Sequence, residues 1–399
     1  MSNIIRYLFA LSLITTLSHV AFALPFSPRA PLTNQTTSVL SRDVQVAVSM
    51  TPFPSPMLAN NKAYLVYEVY LTNFSYTPIK LIGLDLLDAQ NPTQSIMHFD
   101  ENLLLTMVHP IGTPAQNKDK ALLLSGQQKI VFLWVPFENA AKVPPLIKHQ
   151  FHFQMMNPEL ERVSLTPQIM QVESTPPIIV GAPLQGDNWV AFNGPSNSSK
   201  HREAYRVGDG KVYFAQRYAI DFVQLGKDGQ TFTGDKFKNE SYHCYGANIY
   251  AVSAGQVVAI HNDIPENTPG DQRAIKITAD TVGGNYVVLD IGFQRYAFYA
   301  HIQPGTVTVK PGDLVKKGQI LGKVGNTGNS SEPHLHFHIV DKPTFIYANG
   351  VPYVFEEFYL HPSKVLEGDD IRIQMLGHAM IKVNNQLMLE NDVVMFGSS

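Results

Sequence analysis

Hydrophobic and polar positions alternate in short runs along most of this chain. Between residues 42 and 172, "AYLVYEVYLTNFS", "PIKLIGLDLLDA", "KIVFLWVPF" and "IKHQFHFQM" are strand-length stretches dense in aromatic and β-branched residues. Asn, Pro and Gly separate them, which is the pattern of a β-sandwich. The run "VESTPPIIVGAPLQGDN" breaks it, and its prolines and glycines mark a linker over 173–186. Beyond it, "NIYAVSAGQVVAIHN", "GNYVVLDIG", "RYAFYAHIQ", "GQILGKVGN" and "PHLHFHIV" again have strand composition, with turns such as "KPGDLVKKG" and "GNTGNSSEP" between them. The tail, 366–399, adds "IRIQM", "MIKV" and "QLMLENDVVMF", with Asn384-Asn385 as a turn between the last two. No segment keeps a helical period. The predicted fold is mainly β: an N-terminal β-sandwich-like domain, then an antiparallel β-sheet domain over 187–365, with the tail strands packed on it.

The first residues read differently. "MSNIIRYLFALSLITTLSHVAFA" carries one Arg, an apolar stretch and a small-x-small ending, the pattern of a signal peptide over 1–23. A Pro-rich leader follows over 24–41. The protein is expected to be exported, to a periplasm or the exterior, with no stable membrane insertion after cleavage. A net charge of −3 with scattered Lys and Arg gives no reason to expect nucleic acid. Oligomeric state is not readable. The one cysteine, Cys244, excludes an intrachain disulfide and reads as a small buried residue.

The chemistry lies in the second domain. In "EPHLHFHIV", residues two apart share a strand face, so His334, His336 and His338 lie together and Leu335, Phe337 and Ile339 lie opposite. Imidazole is the commonest metal ligand and a proton carrier near neutral pH. His201 in "SSKHREAY", Asp221 in "QRYAIDFV" and His301 at the end of "YAFYAHI" are further candidates. A carboxylate between Ile220 and Phe222 needs a strong partner, either a metal or an ion pair with Arg202, Arg206 or Arg217. His149 and His152, on opposite faces of one strand, are read as surface residues.

From about Asn193 to Pro343 the chain resembles the lysostaphin-type, LytM-like zinc metallopeptidases, which include β-lytic and peptidoglycan endopeptidases. The likeness is densest in "YGANIYAVSAGQVVAI", "GNYVVLDIG", "YAFYAHI" and "VKPGDLVKKGQILGKVGNTGNSSEPHLHFHI". It implies one zinc per chain, held by His201, Asp221 and His336, with His301 and His334 as catalytic residues. His338 lies beyond the motif and reads as a neighbour, not a ligand. The implied activity is metal-assisted hydrolysis of cell-wall peptides or other Gly-rich peptides. The alternative is a catalytically silent activator or binding module for other wall hydrolases. Many family members hold the first His and the Asp close together, whereas His201 and Asp221 are twenty positions apart. The intervening segment is expected to fold out as a hairpin turned at Gly208-Asp209-Gly210. That insertion, "GKDGQTFTGDKFKNESYH" and "HNDIPENTPGDQRA" are the loops expected to shape a substrate groove. For the N-terminal domain, latency, wall anchoring and docking remain open.

Overall fold

The strand Lys62–Asn73 shows how the molecule is assembled. Its odd positions Ala63, Leu65, Tyr67, Val69 and Leu71 face one core, and its even positions Tyr64 and Val66 face another. A strand covered on both sides reads as a continuous apolar run, which is what "AYLVYEVYL" is. The single exception in the run is Glu68, which is fully buried.

The computed structural model describes residues 44–399, apart from 52, 112–118, 159, 271, 367–371, 378 and 398–399. The expected signal peptide and Pro-rich leader lie outside the described residues. Asp43–Ser399 forms one compact body. It is mainly β, and among the described residues the α-helices are Glu101–Met107 and Lys200–Glu203. No described helix is long and apolar enough to cross a membrane.

The N-terminal part holds two sheets. In the first, Val46–Met50, Lys62–Asn73, Gln128–Phe137 and Val108–Pro110 lie side by side, with Pro56–Ala59 also pairing Lys62–Asn73. In the second, Arg162–Leu165, Leu146–Met155, Ile79–Asp88 and Asn91–Asp100 follow one another. Leu65, Tyr67 and Leu133 of one sheet and Leu81, Leu84, Phe151 and Phe153 of the other share a core. His149, expected at the surface, is fully buried, and its Nε2 lies 2.8 Å from the Tyr67 hydroxyl. Burial holds its pKa down to about 3, so it stays a neutral core residue. His152 is partly exposed and pairs with Asp85 at 2.6 Å.

The outer face of the first sheet is covered by the second half of the chain. Tyr64, Val66 and Trp134 join the core of the large C-terminal sheet, and Ile130 and Phe132 pack on Phe214. The centre of that eleven-stranded sheet runs Gly186–Phe192, Ile220–Gln224, Leu335–Val340, Tyr296–Ile302, Asn285–Asp290 and Gly255–His261, each antiparallel to the next. Leu335, Phe337 and Ile339 enter its core, as their spacing predicts. The tail strand Val393–Phe396 pairs both Gly186–Phe192 and Tyr353–His361, which makes it part of this sheet. Asn384 and Asn385 are not a turn. They lie inside the strand Ile381–Gln386, and the turn before the last strand is at Glu390–Asn391, where Asn391 takes a φ of 67°.

Candidate metal centre

Register brings the predicted residues together. Asp221 lies directly across from His336 in neighbouring strands, so both side chains leave the same face. The Asp221 Oδ1 is 2.8 Å from His336 Nδ1 and 3.4 Å from His334 Nε2, and its Oδ2 is 3.2 Å from His201 Nε2. His201, Asp221 and His336 each offer one ligand atom, and these atoms lie within 4.8 Å of one another. Asp221 and His336 are buried, and the His201 side chain is 10% exposed.

His201 reaches this point from the short helix Lys200–Glu203, capped by Ser199. The twenty-residue separation is absorbed by the expected hairpin. Arg206–Gly208 pairs with Lys211–Tyr213, and Asp209 and Gly210 turn it with φ of 48° and 71°. Two successive positive φ values are what a two-residue hairpin turn needs.

His301 reaches the site by a device that alternation alone does not reveal. Tyr299 is fully buried in the core, so a regular strand would send His301 to that same side. Pairing with the next strand slips here: Tyr286 faces Ala300 but Asn285 faces Ile302. His301 is the extra residue of this bulge, at a φ of 63°, and its ring turns to the His334 ring, 4.7 Å away between centroids. The Gly-rich turn 325–328 fits under it. Gly328 has a φ of 70°, and a Cβ there would lie 2.2 Å from the Gly284 nitrogen, so only glycine lets the turn close.

Backbone carbonyls fix the ring nitrogens. His201 Nδ1 donates to the Asn193 carbonyl at 2.8 Å, His301 Nδ1 to Thr327 at 2.7 Å, and His334 Nδ1 to Glu332 at 2.8 Å. Each therefore keeps its proton on Nδ1 and directs Nε2 inward. At His201 and His334, that Nε2 faces a carboxylate oxygen of Asp221. Two acceptors so placed need either a proton or a cation between them. His336 differs: its Nε2 is 2.8 Å from His338 Nδ1, and its Nδ1 faces Asp221. Two imidazole nitrogens and one carboxylate, with ring orientation set from behind, match the donor set of an enzymatic zinc site. His338 is thus more than a neighbour. It is fully buried against Phe298 and Phe345, it contacts the far nitrogen of His336, and its own Nε2 has no partner.

Electrostatics separate these groups. Burial would raise the Asp221 carboxyl, but the facing His201 and His334 hold it well below its ordinary value. Burial would lower His201 and His334, and the Asp221 charge raises both instead. Burial, aided by His334 and His336, pushes His301 well below its usual range. Arg202 and Arg217, two of the possible ion-pair partners for Asp221, bind Glu68 instead.

The side chains open onto a cleft of about 260 Å³. Asn329, Ser330, Ser331 and Phe345 line it together with the histidines. The expected groove loops contribute little. The 202–217 insertion brings only Ala204 and Gln216, the 226–243 loop brings no lining residue, and the 261–274 loop brings Arg273. The hairpin is occupied elsewhere, since Phe214 packs on Phe132 of the N-terminal sheet. Asn193 was not singled out from sequence, yet its side chain donates to Asp221 Oδ2 at 2.9 Å. Cys244 is buried as expected, donates to the Pro333 carbonyl, and has its thiol pushed up to about 12.

Residues 241–347 match Peptidase family M23. That match covers about a quarter of the chain, and within it the chain is similar to this peptidase family. The peptidoglycan DD-endopeptidase ShyA of Vibrio cholerae is 27% identical over 164 residues, 41% of this chain and 37% of that protein. An uncharacterized metalloprotease of Haemophilus influenzae is 28% identical over 165 residues, 40% of this chain and 34% of that protein. These matches span little more than a third of either relative. The catalytic domain of lysostaphin from Staphylococcus simulans aligns at 25% identity and a TM-score of 0.21, over 39% of this chain and 80% of that one. The family match includes His301, His334 and His336 but not His201 or Asp221, which join the site through the geometry above.

Proposed function

We propose that this chain is an exported zinc metalloendopeptidase that hydrolyses peptide bonds in bacterial cell-wall peptidoglycan. The observation that carries this reading is the convergence of His201, Asp221 and His336 beside two further inward-facing imidazoles, His301 and His334. In this reading residues 42–172 are a scaffold unit, 187–365 the catalytic unit, and 1–23 are removed on export.

His201 and His336 would hold zinc by neutral ring nitrogens and Asp221 by a carboxylate oxygen. Zinc, when bound, supplies a Lewis acid for the scissile carbonyl and brings the pKa of a water to about 7. The remaining work falls to this chain's side chains. His301, kept neutral and anchored through Nδ1, offers its Nε2 lone pair to a proton of the attacking water. His334, raised by the Asp221 charge, carries a second proton on Nε2, donates through it to the developing oxyanion and then passes it to the leaving amine. Groups whose surroundings push their pKa values apart divide base and acid roles in this way. The chain has no His-Glu-x-x-His run, so a Glu base of that kind is not expected.

The cleft also favours a charged substrate. Lys200 and Arg273 line it, and Asp221 is the one acid among its described lining residues. A stem peptide that brings carboxylates suits these cations better than an all-glycine bridge. The silent-activator alternative requires a broken donor set, and here every expected position holds a competent residue.

Digestion of purified, cross-linked peptidoglycan by the parent and by His334→Ala tests the reading. The parent should release new amino termini, and the variant should keep its zinc while slowing by about 10²–10⁴-fold. A zinc-loaded parent that frees no amine from walls with direct or glycine cross-links would overturn the reading in favour of the activator.

A further inference from the structure

Glu68 lies in the N-terminal sheet, yet its partners flank the metal ligands. Its carboxylate is fully buried in the strand Lys62–Asn73 and binds two arginines. Arg202 Nη1 donates to Oε1. Arg217 donates through Nε to Oε1 at 3.0 Å and through Nη2 to Oε2 at 2.6 Å. Arg202 follows His201 directly, and Arg217 precedes Asp221 by four positions. One carboxylate thus ties both ends of the insertion that separates these two donors.

We propose that Glu68 is a positioning residue of the metal centre, so that the N-terminal sheet sets the placement of His201 relative to Asp221. This rests on the zinc-site reading above. A helix of four residues cannot hold its own geometry, because a single turn recovers too few hydrogen bonds for the residues it fixes. Lys200–Glu203 is such a helix, so His201 depends on anchors outside it. Arg202 is that anchor. It is 1% exposed, donates to the Tyr67 and Leu133 carbonyls at 3.0 and 3.3 Å, and lies 5.0 Å over the Phe132 ring. Each of these partners belongs to the N-terminal sheet. At the other end Arg217 also donates to the Gly350 carbonyl at 3.1 Å, and the chain then turns so that the Ala219 carbonyl lies 3.3 Å from His201 Nδ1. The clamp therefore fixes both the helix that carries His201 and a carbonyl that orients its ring.

The position of the cleft supports a scaffold rather than a lid. Its lining residues run from Asn193 to Phe345, and none of the described residues before 173 is among them. The N-terminal sheet holds the site from behind and leaves its mouth open.

The test uses the full chain and three variants: Glu68→Gln, Glu68→Asp, and the triple replacement of Glu68, Arg202 and Arg217 by Met. Replacing a buried ion cluster by apolar residues of similar volume often keeps or raises stability, so the triple variant remains informative if Glu68→Gln fails to fold. Zinc affinity is read by competition with a chromophoric chelator, and ligand geometry by the visible spectrum of the cobalt-substituted protein. Glu68→Gln, or the triple variant in its place, should bind zinc at least about tenfold more weakly and show a shifted cobalt spectrum while melting as one unit. Glu68→Asp, which keeps the charge, should recover part of that loss. Folded Gln and triple variants with parental zinc affinity and an unchanged cobalt spectrum would overturn the clamp and leave the zinc reading intact. A folded parent that takes up no zinc would overturn the zinc reading, and the clamp with it.

Discussion

Glu68 and Asp221 are both buried carboxylates in apolar strands, and they do opposite kinds of work. Burial would raise both, and in both cases facing cations lower the carboxyl below its ordinary value. The difference lies in the partners. Arginine keeps its proton and presents a rigid fork, so Glu68 is saturated by permanent charge and closes a structural joint. Histidine can give up its proton, and around Asp221 the carbonyls of Asn193 and Glu332 hold ring protons on the far nitrogens. At His201, what faces Asp221 is then a lone pair that a divalent cation can bind. An isolated acid in a strand signals a strong partner, and the chemistry of that partner separates a joint from a site.

The largest effect should come from breaking the Asp221 side. Asp221→Asn keeps the volume but removes the charged donor. Zinc should be lost and peptide hydrolysis should fall by on the order of 10³-fold or more, measured as new amino termini per minute. The same change on the other side should show in stability. Glu68→Gln leaves two buried guanidinium groups without a counter-charge, a loss on the order of 3–5 kcal/mol in urea unfolding. Its pH dependence follows in sign. The folded-state pKa of Glu68 is lowered from 4.5, so its contribution is complete above about 4.5 and disappears as pH falls through the lower folded value. The parent should lose stability over that acid range by this route, and Glu68→Gln should lack that component.

Smaller effects sharpen the distinction. His338→Phe fills the same pocket but removes the partner of His336 Nε2. Zinc affinity should weaken by about 10–100-fold, seen by chelator competition, with the fold retained. Arg273→Ala touches neither carboxylate. It should raise KM for a carboxylate-bearing wall peptide by about tenfold and leave kcat close to parental, since the contact is made equally before and during reaction.

Much of the site could be read from the sequence because strand alternation is rigid. Leu335, Phe337 and Ile339 enter the core, and His334, His336 and His338 take the other face. The hairpin at Asp209-Gly210 was readable because few residue pairs accept two positive φ values in succession. Other features depend on tertiary pairing. The bulge that swings His301 away from Tyr299 exists only where the strand meets Asn285 and Tyr286. His149 looks like a surface residue until the second sheet covers it and Tyr67 binds it. Asn384-Asn385 reads as a turn, but pairing with Tyr353–His361 holds it in a strand. Glu68 was visible as a lone acid in "YLVYEVYL", the same signal that marked Asp221. Its partners lie 134 and 149 positions away, a separation that no local pattern carries.

The most direct measurement is bound zinc per chain in the purified, folded protein, with Asp221→Asn prepared in parallel. The account predicts about one zinc in the parent and close to none in a variant that still folds. A folded parent without zinc after loading with excess metal would contradict it, as would an Asp221→Asn protein that holds as much zinc as the parent.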